Sequence, residues 1–192
     1  FQYYFRDLLA HEYGHALLHR VLLSRPEIAE FMAKIFALQN SHASAAGNED
    51  TIAMLTIQTS FQELFGDLLT SLYRNDPYAI PKATRYAYET DVEYFRSFRV
   101  NEYNSKGLTF LEEFGGETLG NNVNEYAVYF PIRHIIWSRI QKLTAPQKKS
   151  VLSDLANAFA DLVVEHLKRP VSELTVSELN RTLEAKILAT IP

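Results

Sequence analysis

Cysteine is absent from this chain of 192 residues, and glycine and proline are scarce, with seven of each. Without cysteine there is no disulfide framework and no cysteine-ligated zinc site, so any metal ion would depend on histidine and carboxylate ligands. The small number of turn-forming residues favours long regular elements over a many-stranded β-sandwich. No apolar run approaches the roughly 18 residues that a membrane-spanning helix needs.

A basic segment is also absent. The chain has 19 basic and 23 acidic residues and a net charge of −4, which removes the electrostatic basis for nucleic-acid binding. The hydrophobic fraction of 47% and charged fraction of 22% are ordinary for a folded globular protein. Because the first residue is Phe1 and not methionine, we expect a processed product or part of a longer protein, with any export signal lost upstream.

Apolar residues recur with helical spacing along most of the chain and predict a mainly α fold with little or no β-sheet. We expect helices at residues 2–23, about 24–40, about 51–73, about 124–143, 144–166, and from Thr175 or Ser177 to about 189. Loops are expected at residues 41–50, 76–84 and 115–122. The aromatic and charged stretch 85–100 fits a helix or irregular structure.

The first predicted helix contains a potential metal site with the sequence H-E-Y-G-H, from His11 to His15. Residues four apart lie one turn apart on the same face, so both imidazoles can reach one zinc ion at about 2.0–2.1 Å. Glu12 lies about 100° around the axis, where it can take a proton from a zinc-bound water and pass it to a leaving amine. The alternative is a solvated helix face that carries both histidines by coincidence.

A catalytic zinc ion usually has three protein ligands, so the motif needs a third. One class of zinc peptidases takes it from an extended H-E-x-x-H-x-x-G-x-x-H motif, which is excluded because Leu18 and Val21 occupy the glycine and final histidine positions. His19 lies about 12 Å from His11 along a straight helix, too far to share an ion. We assign His19 to packing or to solvent.

Better candidates lie on the third predicted helix, where Glu63 and Asp67 are four residues apart and share a face. Leu64, Leu68 and Leu69 would seat this helix on a core. Glu63 can supply the third ligand, and Asp67 can accept the remaining N–H of a zinc-bound histidine and so fix its tautomer. The alternative is an ordinary exposed acidic pair.

Together, the H-E-Y-G-H and E-L-F-G-D segments resemble the motifs of the gluzincins, the thermolysin-like zinc metallopeptidases. This resemblance implies Zn²⁺ held by His11, His15 and Glu63, with Glu12 as general base and then acid and Asp67 orienting His11. It further implies a zincin-like fold that hydrolyses a peptide or protein substrate through a metal-activated water. A secreted, periplasmic or cell-envelope location is expected.

The group that stabilises the oxyanion departs from the family pattern. Where thermolysin-like members have H-x-N-S, the nearest segment here is N-V-N-E, with Asn122 in the histidine position. The candidate substitutes lie on the helix that follows: Tyr126, Tyr129, Arg133 and His134. The first three are spaced i, i+3 and i+7, so one face could present a phenol and a guanidinium. The alternative is that the tyrosines belong to the core and Arg133 forms a structural ion pair.

The resemblance predicts one catalytic domain over residues 1–192, with metal-site helices at 1–75, a loop-rich segment at 76–123 and C-terminal helices at 124–192. At most ten residues precede His11, so the edge strand that binds substrate in this family is missing or substrate is held differently. Asp7 is either a second acceptor behind the site or a helix-start residue favoured by the dipole. Two other functions stay open: an inactive, zinc-stabilised binding module, and a helical interaction domain with an accidental motif.

Overall fold

The computed structural model describes residues 2–40, 47–88, 98 and 128–191. These residues form a mainly α-helical structure without β-strands, which confirms the predicted fold class. The helices are α1 (Gln2–Leu23), α2 (Pro26–Asn40), α3 (Glu49–Arg74), α4 (Ala79–Tyr88), α5 (Phe130–Ile140), α6 (Ala145–Leu167) and α7 (Val176–Thr190), with a short 3₁₀ helix at Val171–Glu173. None of the described helices has the length and apolarity needed to cross a membrane.

The sequence patterns place most helix ends correctly. Asn75 ends α3 in the left-handed conformation (φ 50°), and its N–H donates to the carbonyl of Leu72. At the start of α6 the Thr144 N–H donates to Gln147 Oε1 over 2.9 Å. At the start of α7 the Thr175 hydroxyl accepts the N–H of Glu178 at 3.1 Å, which decides between the two predicted caps.

Two predictions made near prolines were wrong. Residues 79–84, predicted as a loop, belong to α4, because Pro81 lies in the first helical turn, where a missing N–H breaks no hydrogen bond. The helix predicted from residue 124 begins at Phe130, after a turn at residues 128–129, and Pro131 lies in its first turn. Residues 124–127 lie outside the described part of the chain.

Helix α3 lies between the N-terminal helices and the C-terminal ones. Along one side it packs against α1, where Leu18 and Leu22 are fully buried. On another side the Phe61 ring lies 4.5 Å from Tyr129 and 5.2 Å from Phe159, measured between ring centroids. Burial of these apolar side chains therefore fixes the position of α3 against α1, where the candidate ligands lie.

Candidate metal centre

The two motif histidines lie side by side on the face of α1 that is turned towards α3. His11 is buried and His15 partly buried, and their Nε2 atoms are 2.7 Å apart. The rings meet edge to face, with centroids 4.4 Å apart. The spacing of four residues thus brings two imidazole nitrogens to one point, as the sequence predicts.

Glu63 reaches the same point from α3. Its Oε2 atom lies 3.1 Å from His11 Nε2, and its Oε1 atom lies 3.4 Å from His15 Nε2. Ligand atoms bonded at about 2.0–2.1 Å to one tetrahedral zinc ion are separated by about 3.3 Å. The two distances from Glu63, which involve different carboxylate oxygens, are close to this value, and the distance between the two histidines is shorter.

Two glycines allow the helices to approach this closely. A Cβ atom built on Gly14 of α1 would lie 2.7 Å from the Cα atom of Gly66 on α3. A Cβ atom on Gly66 would lie 2.7 Å from His11 Nδ1 and 3.0 Å from the His11 carbonyl oxygen. Any larger residue at either position would separate the helices or displace the imidazole. Both glycines stand inside the two motifs, but only the structure reveals this role.

Asp67 contacts the other ring nitrogen of His11. Its Oδ1 atom is 3.0 Å from His11 Nδ1, and the side chain is fully buried. A carboxylate at this position accepts the Nδ1–H, and His11 Nε2 then carries the lone pair that a metal ion needs. This contact is the one that the sequence predicts for Asp67.

The resulting arrangement brings acceptor atoms together. With its proton on Nδ1, His11 presents a lone pair at Nε2 to the Glu63 carboxylate oxygen only 3.1 Å away. Two acceptors at that distance repel unless a proton or a metal ion lies between them. Burial also lowers the pKa of His15, with a further contribution from His11, and so favours the neutral imidazole that binds metals.

Glu12 lies at the solvent side of this cluster. Its side chain is exposed, and one carboxylate oxygen lies within 4.8 Å of a ring nitrogen of both His11 and His15. A second group of potential ligands consists of His11, Glu63 and Asp67, within the same limit. The structure therefore brings together all five residues of the predicted centre, and Glu12 alone faces outward.

Within the described residues, the side chains proposed to stabilise an oxyanion do not gather around the candidate metal centre as its predicted ligands do. Arg133 is buried, with Nη1 only 2.8 Å from Asp67 Oδ2, which is the ion pair that the sequence left open as an alternative. His134 is exposed and belongs to neither group of potential ligands in the described residues. Tyr129 is buried in the core, which raises the pKa of its hydroxyl, whereas Tyr126 and Asn122 lie outside the described residues.

Asp7 has a role other than the two considered from the sequence. Its carboxylate Oδ1 atom lies 3.3 Å from Arg74 Nε, and its backbone carbonyl accepts a hydrogen bond from Thr70 at 3.3 Å. Burial raises the pKa of this carboxyl, and Arg74 opposes the shift. Asp7 thus joins α1 to the last turns of α3, and it lies beyond the first helical turn.

The chain matches no protein-family model, and no curated protein or solved structure matches it. Its resemblance to the gluzincins accordingly depends on the two motifs and on the geometry of the five side chains described above.

Proposed function

We propose that this chain is a zinc-dependent peptidase domain in which His11, His15 and Glu63 hold the metal ion. The observation that carries the proposal is the convergence of three acceptor groups from two helices, with Asp67 behind one of them. An accidental H-E-x-x-H on a solvated face would not bury His11 against two carboxylates. The alternative of an accidental motif is therefore disfavoured.

The donor set suits a catalytic site better than a structural one. Structural zinc sites usually close with four protein ligands, whereas catalytic sites keep three and leave one position open. Two imidazoles and one carboxylate form one of the known three-ligand sets. A zinc ion bound there supplies a Lewis acid that polarises a carbonyl and lowers the pKa of a coordinated water.

Glu12 supplies the proton transfer that peptide hydrolysis requires. Its exposed carboxylate lies beside the ligand atoms, so it can accept a proton from the attacking water and later donate it to the leaving amine. The substrate class that fits this chemistry is a peptide or unfolded protein. The buried side chains fix the centre, and Glu12 is the group that substrate and solvent can reach.

One observation favours a second candidate function, a zinc-stabilised binding module without catalytic activity. Arg133, which could have stabilised an oxyanion, is buried against Asp67. Among the described residues, no histidine other than His11 and His15 belongs to the groups of potential ligands. A domain that holds zinc and lacks this group would bind a peptide without cleaving it.

The substitution Glu12→Gln separates the two functions. We expect it to keep one equivalent of zinc per chain and to reduce cleavage of a dye-labelled unfolded protein by about 10²–10⁴-fold, because the amide cannot accept the proton. Glu30→Gln, which changes another exposed glutamate on α2, is the matched control and should leave cleavage unchanged.

Each result has a distinct meaning. Equal cleavage by wild type and Glu12→Gln would contradict the peptidase proposal. A wild-type chain that binds zinc and cleaves nothing would favour the binding module. A wild-type chain that holds no stoichiometric zinc would leave only the accidental motif.

A further inference from the structure

A buried ion pair links the metal centre to a helix from the other half of the chain. Arg133 lies in α5, and its Nη1 atom is 2.8 Å from Asp67 Oδ2. The other oxygen of the same carboxylate, Oδ1, lies 3.0 Å from His11 Nδ1. The arginine is 1% exposed and the aspartate is fully buried, so water does not compete for either contact. Asp67 thus stands between the guanidinium and the ligand histidine.

The guanidinium has further support. Its Cζ atom lies 5.2 Å from the centroid of the Phe98 ring, within the range of a cation–π contact. On α5, the neighbouring Ile132 and Ile136 are buried in the hydrophobic core. The Phe98 ring and the packing of α5 therefore support the guanidinium in addition to its contact with Asp67.

A single contact would leave the Asp67 carboxylate free to turn. The terminal torsion of aspartate has a broad, roughly two-fold energy profile, so a hydrogen bond to one oxygen does not fix the plane of the group. The positive charge of Arg133 lies beside the second oxygen, and its attraction for that oxygen favours the orientation in which the first oxygen faces His11 Nδ1. The orientation of the His11 ring depends in turn on that acceptor.

We propose that Arg133 is a positioning residue of the metal centre, which acts through Asp67 to hold the His11 imidazole in the orientation that binds metal. This inference rests on the zinc-binding part of the proposed function and is independent of whether the chain cleaves peptides. A purely structural ion pair would affect folding alone. A positioning residue also sets the affinity of the folded protein for zinc.

The test is a double-mutant cycle on zinc affinity, measured by competition with a chromophoric chelator. We expect Arg133→Met and Asp67→Asn each to weaken zinc binding by about 10–100-fold, as is typical for partners of ligand histidines. The double variant should bind zinc as Asp67→Asn does, because Arg133 has no effect once its carboxylate is replaced. The melting temperature of each zinc-free variant, measured in parallel, reports folding separately.

Arg139→Met is the matched control. Arg139 lies on the same helix and donates from Nη1 to the carbonyl of Ile191 at 3.0 Å, so its loss removes a tertiary contact of α5 away from the metal centre. Its zinc affinity should equal that of wild type even if the melting temperature falls. Arg133→Lys keeps the charge and serves where Arg133→Met does not fold. We expect it to bind zinc more weakly than wild type and more tightly than Arg133→Met.

Three results would overturn the inference. Unchanged zinc affinity in the folded Arg133 variants would show a structural ion pair only. A further loss on adding Arg133→Met to Asp67→Asn would show that Arg133 does not act through Asp67. A wild-type chain without zinc affinity would remove this inference together with the proposed function. Zinc binding without peptide cleavage would remove only the peptidase proposal.

Discussion

The crossing of α1 and α3 and the packing of α6 against α7 differ in what they bury. The α1–α3 crossing buries His11, Glu63 and Asp67 and brings two glycines into contact. The α6–α7 pair buries aliphatic and aromatic side chains almost throughout: Leu155, Phe159, Leu162, Leu179, Leu183 and Ile187 are each at most 1% exposed. One region holds the chemistry, and the other supplies apolar burial.

This difference has an energetic meaning. A buried charged group costs several kcal/mol unless it is paired, and the pairs at the crossing offset that cost only in part. A fully buried aliphatic side chain stabilises the fold by about 1.5–3 kcal/mol. We therefore expect substitutions in the α6–α7 pair to change stability and those at the crossing to change zinc affinity. The three predictions below are ordered by their expected effect on the free energy of unfolding.

The largest loss of stability is expected for Leu183→Ala in α7. This side chain is fully buried, and its truncation should lower the free energy of unfolding by about 2–5 kcal/mol. Urea denaturation of the zinc-free protein measures this loss, and Leu183→Met, which keeps the volume, should lose less than about 1.5 kcal/mol. Zinc affinity of the folded variant should stay that of wild type. A tenfold loss would show that the two regions are not separable.

The second prediction concerns the pH dependence of stability through His166 in α6. Burial, with the nearby Arg169, lowers its pKa from the ordinary 6.5 to about 4, and Glu178 opposes this shift. As pH falls below 6.5, His166 takes up a proton in the unfolded chain before it does so in the folded one. The contribution of neutral His166 to the free energy of unfolding is therefore complete above pH 6.5 and is lost progressively down to about pH 4. The full loss is about 3 kcal/mol.

His166→Leu removes this titration. Both proteins are compared without zinc. Between pH 7 and 4, the free energy of unfolding of the wild type should decrease by about 3 kcal/mol more than that of the variant. Contributions from all other groups are common to both proteins and cancel in the comparison. Identical pH profiles for the two proteins would contradict the burial of a neutral His166.

The smallest change in stability, with the largest change in metal binding, is expected for Gly66→Ala. Alanine gains about 1 kcal/mol over glycine in a helix interior, but overpacking costs about 1–3 kcal/mol. The added Cβ would lie 2.7 Å from His11 Nδ1, so the variant should lose some stability and most of its zinc affinity. Isothermal titration with zinc measures the affinity.

Gly47→Ala is the control for that substitution. Its added Cβ would meet no atom within 4 Å, although the φ of 82° strains an alanine there. We expect a modest loss of stability and the zinc affinity of wild type. If Gly66→Ala also bound zinc as tightly as wild type, the close contact at the crossing would not be what positions His11.

Local patterns predict the helices well, because periodicity and caps act within a few residues. The failures came from proline. Pro81 was interpreted as a loop residue and Pro131 was not used, whereas both lie in the first turn of a helix. A proline can end one helix or begin the next, and which it does depends on the packing of the residues that follow.

The residues of the candidate metal centre could be proposed because His11 and His15, and likewise Glu63 and Asp67, lie four residues apart on one helix. That Glu63 approaches both histidines requires α1 and α3 to meet, which no local pattern on either helix predicts. The contact between Gly66 and His11 and the pair between Arg133 and Asp67 depend on three-dimensional packing. No local pattern encodes either contact, so the sequence leaves Arg133 open between an oxyanion role and an ion pair and does not identify Asp67 as its partner.

Anomalous diffraction at the zinc edge, from crystals of the zinc-loaded chain, tests the central claim most directly. We predict one full-occupancy peak at about 2.0–2.2 Å from Nε2 of His11, Nε2 of His15 and a carboxylate oxygen of Glu63. Asp67 should not contact the ion. A peak elsewhere on the chain, or an ion at the histidines with Glu63 turned away, would contradict this account.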